Sequence, residues 1–157
     1  MEFWYRKQIR RNLYTKGILI MANALYTKGK EGLLNASFDL DGDTIKLALV
    51  SSTYTPNLAT HDFWDDVNAN VIGVPQAMSG ITITNGVFNS SSVTFTAVAG
   101  GSTVRYFVIY KDTGSAATSP LLVLIDTTTG VSLPFATNGG DITFTPDSGT
   151  NKIFKLT

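Results

Sequence analysis

Residues 81–110 read ITITNGVFNSSSVTFTAVAGGSTVRYFVIY, and their reading decides the fold. Short apolar-rich runs, ITI at 81–83, VF after the NG at 85–86, SVTFTAV at 92–98 and TVRYFVIY at 103–110, are separated by polar or glycine-containing breaks that include NG at 85–86 and GG at 100–101. Such punctuation interrupts helices and favours short strands joined by turns. The same rhythm continues outward through LLVLID at 121–126, DITFTP at 141–146 and NKIFKL at 151–156. Upstream, TIKLALVSS from Thr44 places Ile45, Leu47 and Val50 in a strand-like pattern and marks the first core strand. The chain is therefore expected to be all-β, a β-sandwich of Ig-like or jelly-roll-like type with about seven to nine short antiparallel strands. Strand order is not readable from periodicity, so Ig-like, jelly-roll and barrel arrangements stay open at this point, with the sandwich preferred.

The patterns also distinguish the strands. LLVLI is apolar on both faces, as in a strand covered on both sides, whereas VTFTAV and ITFT alternate Thr with larger apolar residues and predict one wet face. The polar stretch KDTGSAATS at 111–119 predicts an exposed loop tip. Near the start of the body, ANALYTKGKEGLL at 22–34 sets Ala24, Leu25, Gly29 and Leu33 at helical spacing, predicting one short helix weakened by Gly29 and Gly32. FDLDGD then supplies turn residues. In YTPNLATHDFWDDVN at 54–68, Thr60 is placed to cap a short helical turn carrying Phe63, Trp64 and Val67 as an excursion packed on the sheet.

A chain of 157 residues is the size of one domain and can bury a core without staples. The absence of cysteine removes disulfides, thiolate metal sites and a cysteine nucleophile together. Only 15% of the residues are charged, below the roughly 25% of an average domain, which suits exposed Ser/Thr-rich β-structure. The net charge of zero conceals an asymmetry, since residues 1–30 carry seven Lys or Arg against Glu2, whereas residues 31–157 carry five against eleven acidic residues. A basic arm bearing Arg6, Lys7, Arg10 and Arg11 is thus a candidate contact for nucleic acid, an anionic membrane or an acidic neighbouring subunit. The acidic body itself is not expected to bind nucleic acid. No apolar run reaches the ~18 residues of a membrane span, and the N-terminus lacks the apolar centre of a secretory signal, so the body is expected to be soluble.

Catalytic signatures are sparse. Asp39, Asp41 and Asp43 form the most metal-like cluster, but Gly42 stands fourth and Val50 twelfth where a calcium loop needs Gly sixth and Glu twelfth; a turn before a strand is the preferred reading. His61 is the single histidine, beside Asp62, Asp65 and Asp66, and lacks the second histidine or nucleophile that catalysis would need. Tyr54, Phe63 and Trp64 are candidates for an aromatic contact platform, with plugs over one end of the sandwich as the favoured alternative. No phosphate-binding glycine motif occurs. No catalytic residue and no cofactor are expected.

From Met21 onward, the blocks MANALYTKGKEGLLN, DTIKLALV, YTPNLATHDF, TNGVF, VTFTAV, VIYKDTG, LLVLIDTTTG, NGGDITFTP and NKIFKL resemble a family of small tailed-bacteriophage virion proteins that open with a MANALY-type start. The resemblance implies a non-enzymatic structural protein of the particle, foremost a capsid decoration or cement protein on the phage head. A tail location is the second choice. Its implied partners are the major capsid protein and neighbouring copies in a homo-oligomer, with a trimer favoured. The alternative is a tail- or fibre-associated module that recognises a receptor or carbohydrate through Tyr54, Phe63 and Trp64. No catalytic residues come with the family.

The pentapeptide LYTKG occurs at 13–17 and again at 25–29. Twelve residues fall short of the ~20–50 residue period of structural repeats, so a repeat architecture is rejected. Lys16-Gly17 can be encoded by AAAGGA, which resembles a ribosome-binding site, with Ile18, Leu19 and Ile20 as spacer before Met21. Residues 1–20 are accordingly expected to be an upstream basic extension, and residues 21–157 the single β-sandwich domain. If the extension is translated, its basic residues become an anchor on an acidic capsid surface.

Overall fold

The computed structural model describes residues 23–128 and 130–156. The principal sheet is built on three long strands, β2 (Ile45–Ser51), β7 (Thr103–Lys111) and β8 (Leu121–Ile125), paired antiparallel in the order β2, β7, β8. Two edge strands extend it: β1 (Ala24–Leu25) joins β8, and β3 (Val71–Ala77) joins β2; the short β9 (Phe135–Ala136) adds to the start of β7. A second layer consists of a two-stranded sheet of β6 (Val93–Phe95) and β10 (Ile142–Phe144), and a three-stranded sheet ordered β4 (Thr82–Thr84), β5 (Val87–Asn89), β11 (Phe154–Lys155). This is the expected all-β, sandwich-like fold with one short helix, α1 (Thr27–Leu34).

Alternation along the long strands feeds two cores. Ile45, Leu47 and Leu49 of β2, Val104, Phe107 and Ile109 of β7, and Val123 and Ile125 of β8 face the second layer, where Phe88, Phe95, Ile142 and Phe144 meet them. The opposite face carries Ala48, Val50, Val108, Tyr110, Leu121 and Leu124, and is closed by Tyr26, Tyr54, Val67, Leu58 and Trp64. All five residues of LLVLI are buried, as the doubly apolar pattern predicts. Val50 lies on the opposite face from Ile45 and Leu47, so β2 is likewise apolar on both sides. On the water side of the second layer, Thr94 and Thr143 stand directly opposite and share a 3.0 Å hydroxyl hydrogen bond, while Val93, Phe95, Ile142 and Phe144 point inward. Asn85 (φ 54°) and Gly86 (φ 75°) turn the β4–β5 hairpin in the left-handed region that an Asn-Gly pair favours.

Three expectations are corrected. The helix begins at Thr27, not at Ala22: Ala24 and Leu25 pair with Leu124 and Val123, and Tyr26 is extended, donating its N–H to the Leu122 carbonyl. Thr60 caps nothing helical, because its N–H closes a turn on the Asn57 carbonyl; the helical turn starts at Trp64, and the Asp66 carboxylate accepts the N–H groups of Asp62 and Phe63. Strand β3 is missing from the sequence reading because Gly73 and Pro75 interrupt it, which is compatible with a sheet edge but not a centre.

Gly29 and Gly32 do more than weaken α1. A side chain at Gly29 would sit 2.7 Å from the Leu122 carbonyl oxygen and 2.9 Å from its Cα, so the helix packs backbone to backbone on β8. Gly29→Ala is therefore expected to destabilise the fold by roughly 1–3 kcal/mol through overpacking. Exposed Lys30→Ala on the same helix should be near neutral. Urea unfolding followed by circular dichroism measures both, and equal midpoints for Gly29→Ala and the parent chain would contradict the close packing.

Candidate functional site

The aromatic candidates do not form an open platform. Tyr54 is 4% exposed. Its hydroxyl lies 3.1 Å from that of Tyr26 and 2.7 Å from His61 Nδ1. The Asn57 N–H also donates to His61 Nδ1, so this nitrogen is the acceptor and the relay runs from Tyr26 to Tyr54 to His61. Trp64 stacks on Tyr110 with ring centroids 4.0 Å apart and planes 9° from parallel, which covers one of its faces. Phe63 is half-buried, pairs its backbone with Pro120 and has the Lys28 ammonium 5.3 Å from its ring centre. Tyr54 and Trp64 thus belong to the second core, with His61 as a buttress.

The acidic candidates form a turn. The Asp39 N–H donates to Asp43 Oδ2 (2.8 Å), the Gly42 N–H to Asp39 Oδ1, and Lys111 Nζ pairs with Asp43 (2.8 Å) while donating to the Ser37 carbonyl. Burial opposes ionisation of Asp43, but Lys111 and the Asp39 N–H outweigh it and hold the carboxyl below the usual range. Lys46 does the same for Asp112 across a 2.6 Å contact. Among the described residues no three His, Asp or Glu side chains converge as metal ligands. Arg6, Lys7, Arg10 and Arg11 lie outside the described residues.

The feature that stands out lies at the margin of the main core, on the face of the three-stranded sheet that carries Phe88. Ile83 is paired with Phe88 across the β4–β5 hairpin, and Phe88 with Phe154 across β5–β11, so the three side chains form one cross-strand row. The Phe88 and Phe154 rings stack with centroids 5.1 Å apart. Leu156, two residues on from Phe154, extends the row, and Leu33 and Leu40 form the facing wall of a groove of about 240 Å³. Asp39 and Asp41 stand at its rim. Of the large apolar side chains exposed among the described residues, Ile83 (51%) and Leu156 (51%) line this groove, and Leu34 (89%) projects beside Leu33.

Sequence reasoning missed this groove. Its residues come from α1, the loop before β2, the hairpin and the C-terminal strand, and alternation alone makes Ile83 a core residue. The available signals were the NG turn and the apolar run NKIFKL, neither of which says that Ile83 and Leu156 are left uncovered. No helix of the described residues is long and apolar enough to cross a membrane. Neither a protein-family model nor a curated protein sequence matches this chain.

Burial pushes the Tyr26 and Tyr54 hydroxyls above their ordinary range and Tyr110 up to about 12. The unfolded chain ionises these phenols near pH ~10 while the fold keeps them protonated, so their contribution is intact below that pH and lost as pH rises toward the folded values. Melting temperature should accordingly fall steeply above pH ~10, with tyrosinate absorbance rising together with unfolding. Ionisation of all tyrosines without loss of structure would contradict the network. Tyr54→Phe, which takes away the acceptor of the buried Tyr26 hydroxyl and leaves His61 Nδ1 only the Asn57 N–H, should cost roughly 1–2 kcal/mol.

Proposed function

We propose that this chain is a non-enzymatic structural protein of a bacteriophage particle, a capsid decoration or cement protein that acts as a homo-oligomer. The single observation that carries the assembly half of this reading is the groove, with Ile83 and Leu156 exposed in it and Leu34 exposed next in sequence to its lining residue Leu33. Apolar side chains gathered at one groove mark a contact surface rather than scattered surface residues. The head location and the capsid partner rest on the resemblance of the blocks from Met21 onward.

The occupant of the groove is a second copy of this chain. Leu34 is 89% exposed and follows Leu33 of the groove lining, so a ring in which each copy inserts Leu34 into the groove of the next would use both at once. Three copies close such a ring. The free faces of the oligomer then bridge capsid subunits, and many modest contacts add through repetition. For the receptor-binding alternative, the aromatic residues that would form the platform are committed to packing: Tyr54 is buried and Trp64 is stacked on Tyr110.

Light scattering after gel filtration should give an oligomeric mass, with a trimer expected. The double variant Ile83→Asp with Leu156→Asp should elute as a monomer with an unchanged circular dichroism spectrum. A parent chain that stays monomeric at all concentrations would overturn the oligomer. Cryo-electron microscopy of particles of the phage carrying the gene should place the protein on the head, and a head without its density would overturn decoration.

A further inference from the structure

The groove carries charge of one sign. Asp39 and Asp41 stand at its rim, both exposed, and no lysine or arginine is among its lining residues. Two of the three carboxylates of this turn are occupied: Lys111 holds Asp43, and Asp39 Oδ1 accepts the Gly42 N–H. Asp41 is left without a cationic partner among the described residues, at the mouth of an apolar groove. An uncompensated carboxylate beside exposed apolar side chains selects for an occupant that brings an apolar tip and a cation together.

Helix α1 of a second copy brings that combination. Lys30 and Leu34 stand four residues apart, one helical turn, so their side chains are neighbours on one flank of α1, and both are exposed. The helix turns Gly29 toward β8 and Gly32 toward Phe38, which leaves the Lys30–Leu34 flank to solvent. Lys28 and Glu31 answer each other at 3.8 Å on the same helix, so Lys30 is the cation of α1 that has no acidic partner among the described residues. Leu34 and a free ammonium thus travel together on the helix, as apolar lining and a free carboxylate do in the groove.

We propose that Leu34 of one copy enters the groove of the next together with Lys30, and that Lys30 pairs there with the Asp41 carboxylate, so that charge fixes the joint as head-to-tail. This rests on the homo-oligomer reading and adds which face of the second copy is the partner. The same residues disfavour a two-fold pairing of groove on groove, which would bring Asp39 and Asp41 of both copies together as like charges. A head-to-tail contact uses two different patches of each copy and closes as a ring. Apolar burial supplies the cohesion, whereas the ion pair, exposed and modest in strength, supplies direction and register.

Charge reversal tests the pairing, with light scattering after gel filtration as the readout. Lys30→Glu and Asp41→Lys, each alone, should shift the oligomer toward monomer and raise the concentration of half-dissociation about tenfold, because an attraction becomes a repulsion. The double variant Lys30→Glu with Asp41→Lys should assemble as the parent chain does. Both side chains are exposed, so the circular dichroism spectrum should stay unchanged throughout. If the parent assembles but either single reversal leaves it unweakened, or the double variant is no better than the singles, the pairing is overturned and the oligomer stands. A parent chain that is monomeric at every concentration overturns both. Should a reversal fail to fold, Lys30→Gln and Asp41→Asn give the answer through salt: the parent oligomer should loosen between about 0.05 and about 1 M NaCl, and these variants should lose that dependence. Equal salt dependence in parent and variants overturns the pairing.

Discussion

A sheet whose middle strands are apolar on both faces cannot leave either face to water, and the rest of the molecule follows from that demand. β8 buries every residue from Leu121 to Ile125, and β7 and β2 each send large side chains to both sides. At roughly 25 cal/mol per Å² of apolar surface removed from water, an uncovered face would forfeit the dominant stabilising term of the fold. One face is met by the two small sheets. The other is met by α1 and the excursion of residues 52–70, with Tyr26, Tyr54 and Trp64 as the cover. The excursion is thus a third layer required by β8, and its aromatic richness serves packing.

That cover has a polar difficulty of its own. Tyr26 and Tyr54 bring hydroxyls into the apolar layer, where an unpaired hydroxyl would be unfavourable. The relay from Tyr26 to Tyr54 to His61 resolves it by passing each donor outward until the last acceptor reaches the half-exposed histidine. The lone histidine therefore has a packing role that needs no catalytic partner. Gly29 and Gly32 belong to the same constraint, since only a helix without side chains at those positions can lie close enough to Leu122 and Phe38.

The residues that revealed themselves in the sequence were those whose pattern is local. LLVLI, the Thr alternation of β6 and β10, the NG hairpin and the polar 111–119 loop all carry their signal within a few residues. Elements decided by distant partners were obscured. Ala24 and Leu25 suit a helix by spacing and become a strand because β8 offers an edge; β3 hides behind Gly73 and Pro75 because an edge strand tolerates both. The aromatic cluster 54–64 was visible as composition, but whether Trp64 faces water depends on Tyr110 nearly fifty residues away. The groove was the least legible, because exposure of Ile83 and Leu156 is fixed by what does not cover them.

The groove also limits how the protein can work. A stable pairwise interface buries about 800 Å² per partner, and one groove with three protruding side chains supplies only part of such an area. Contact through this surface alone would be weak between two isolated copies. In the ring proposed above, each copy would use the groove and Leu34 together, so that closure of the ring would double the contacts per subunit. Placement on a repeating lattice multiplies this again, since each contact made raises the effective concentration for the next. A modest apolar groove on a Thr-faced sandwich thus fits the proposed role, in which weak contacts add through repetition.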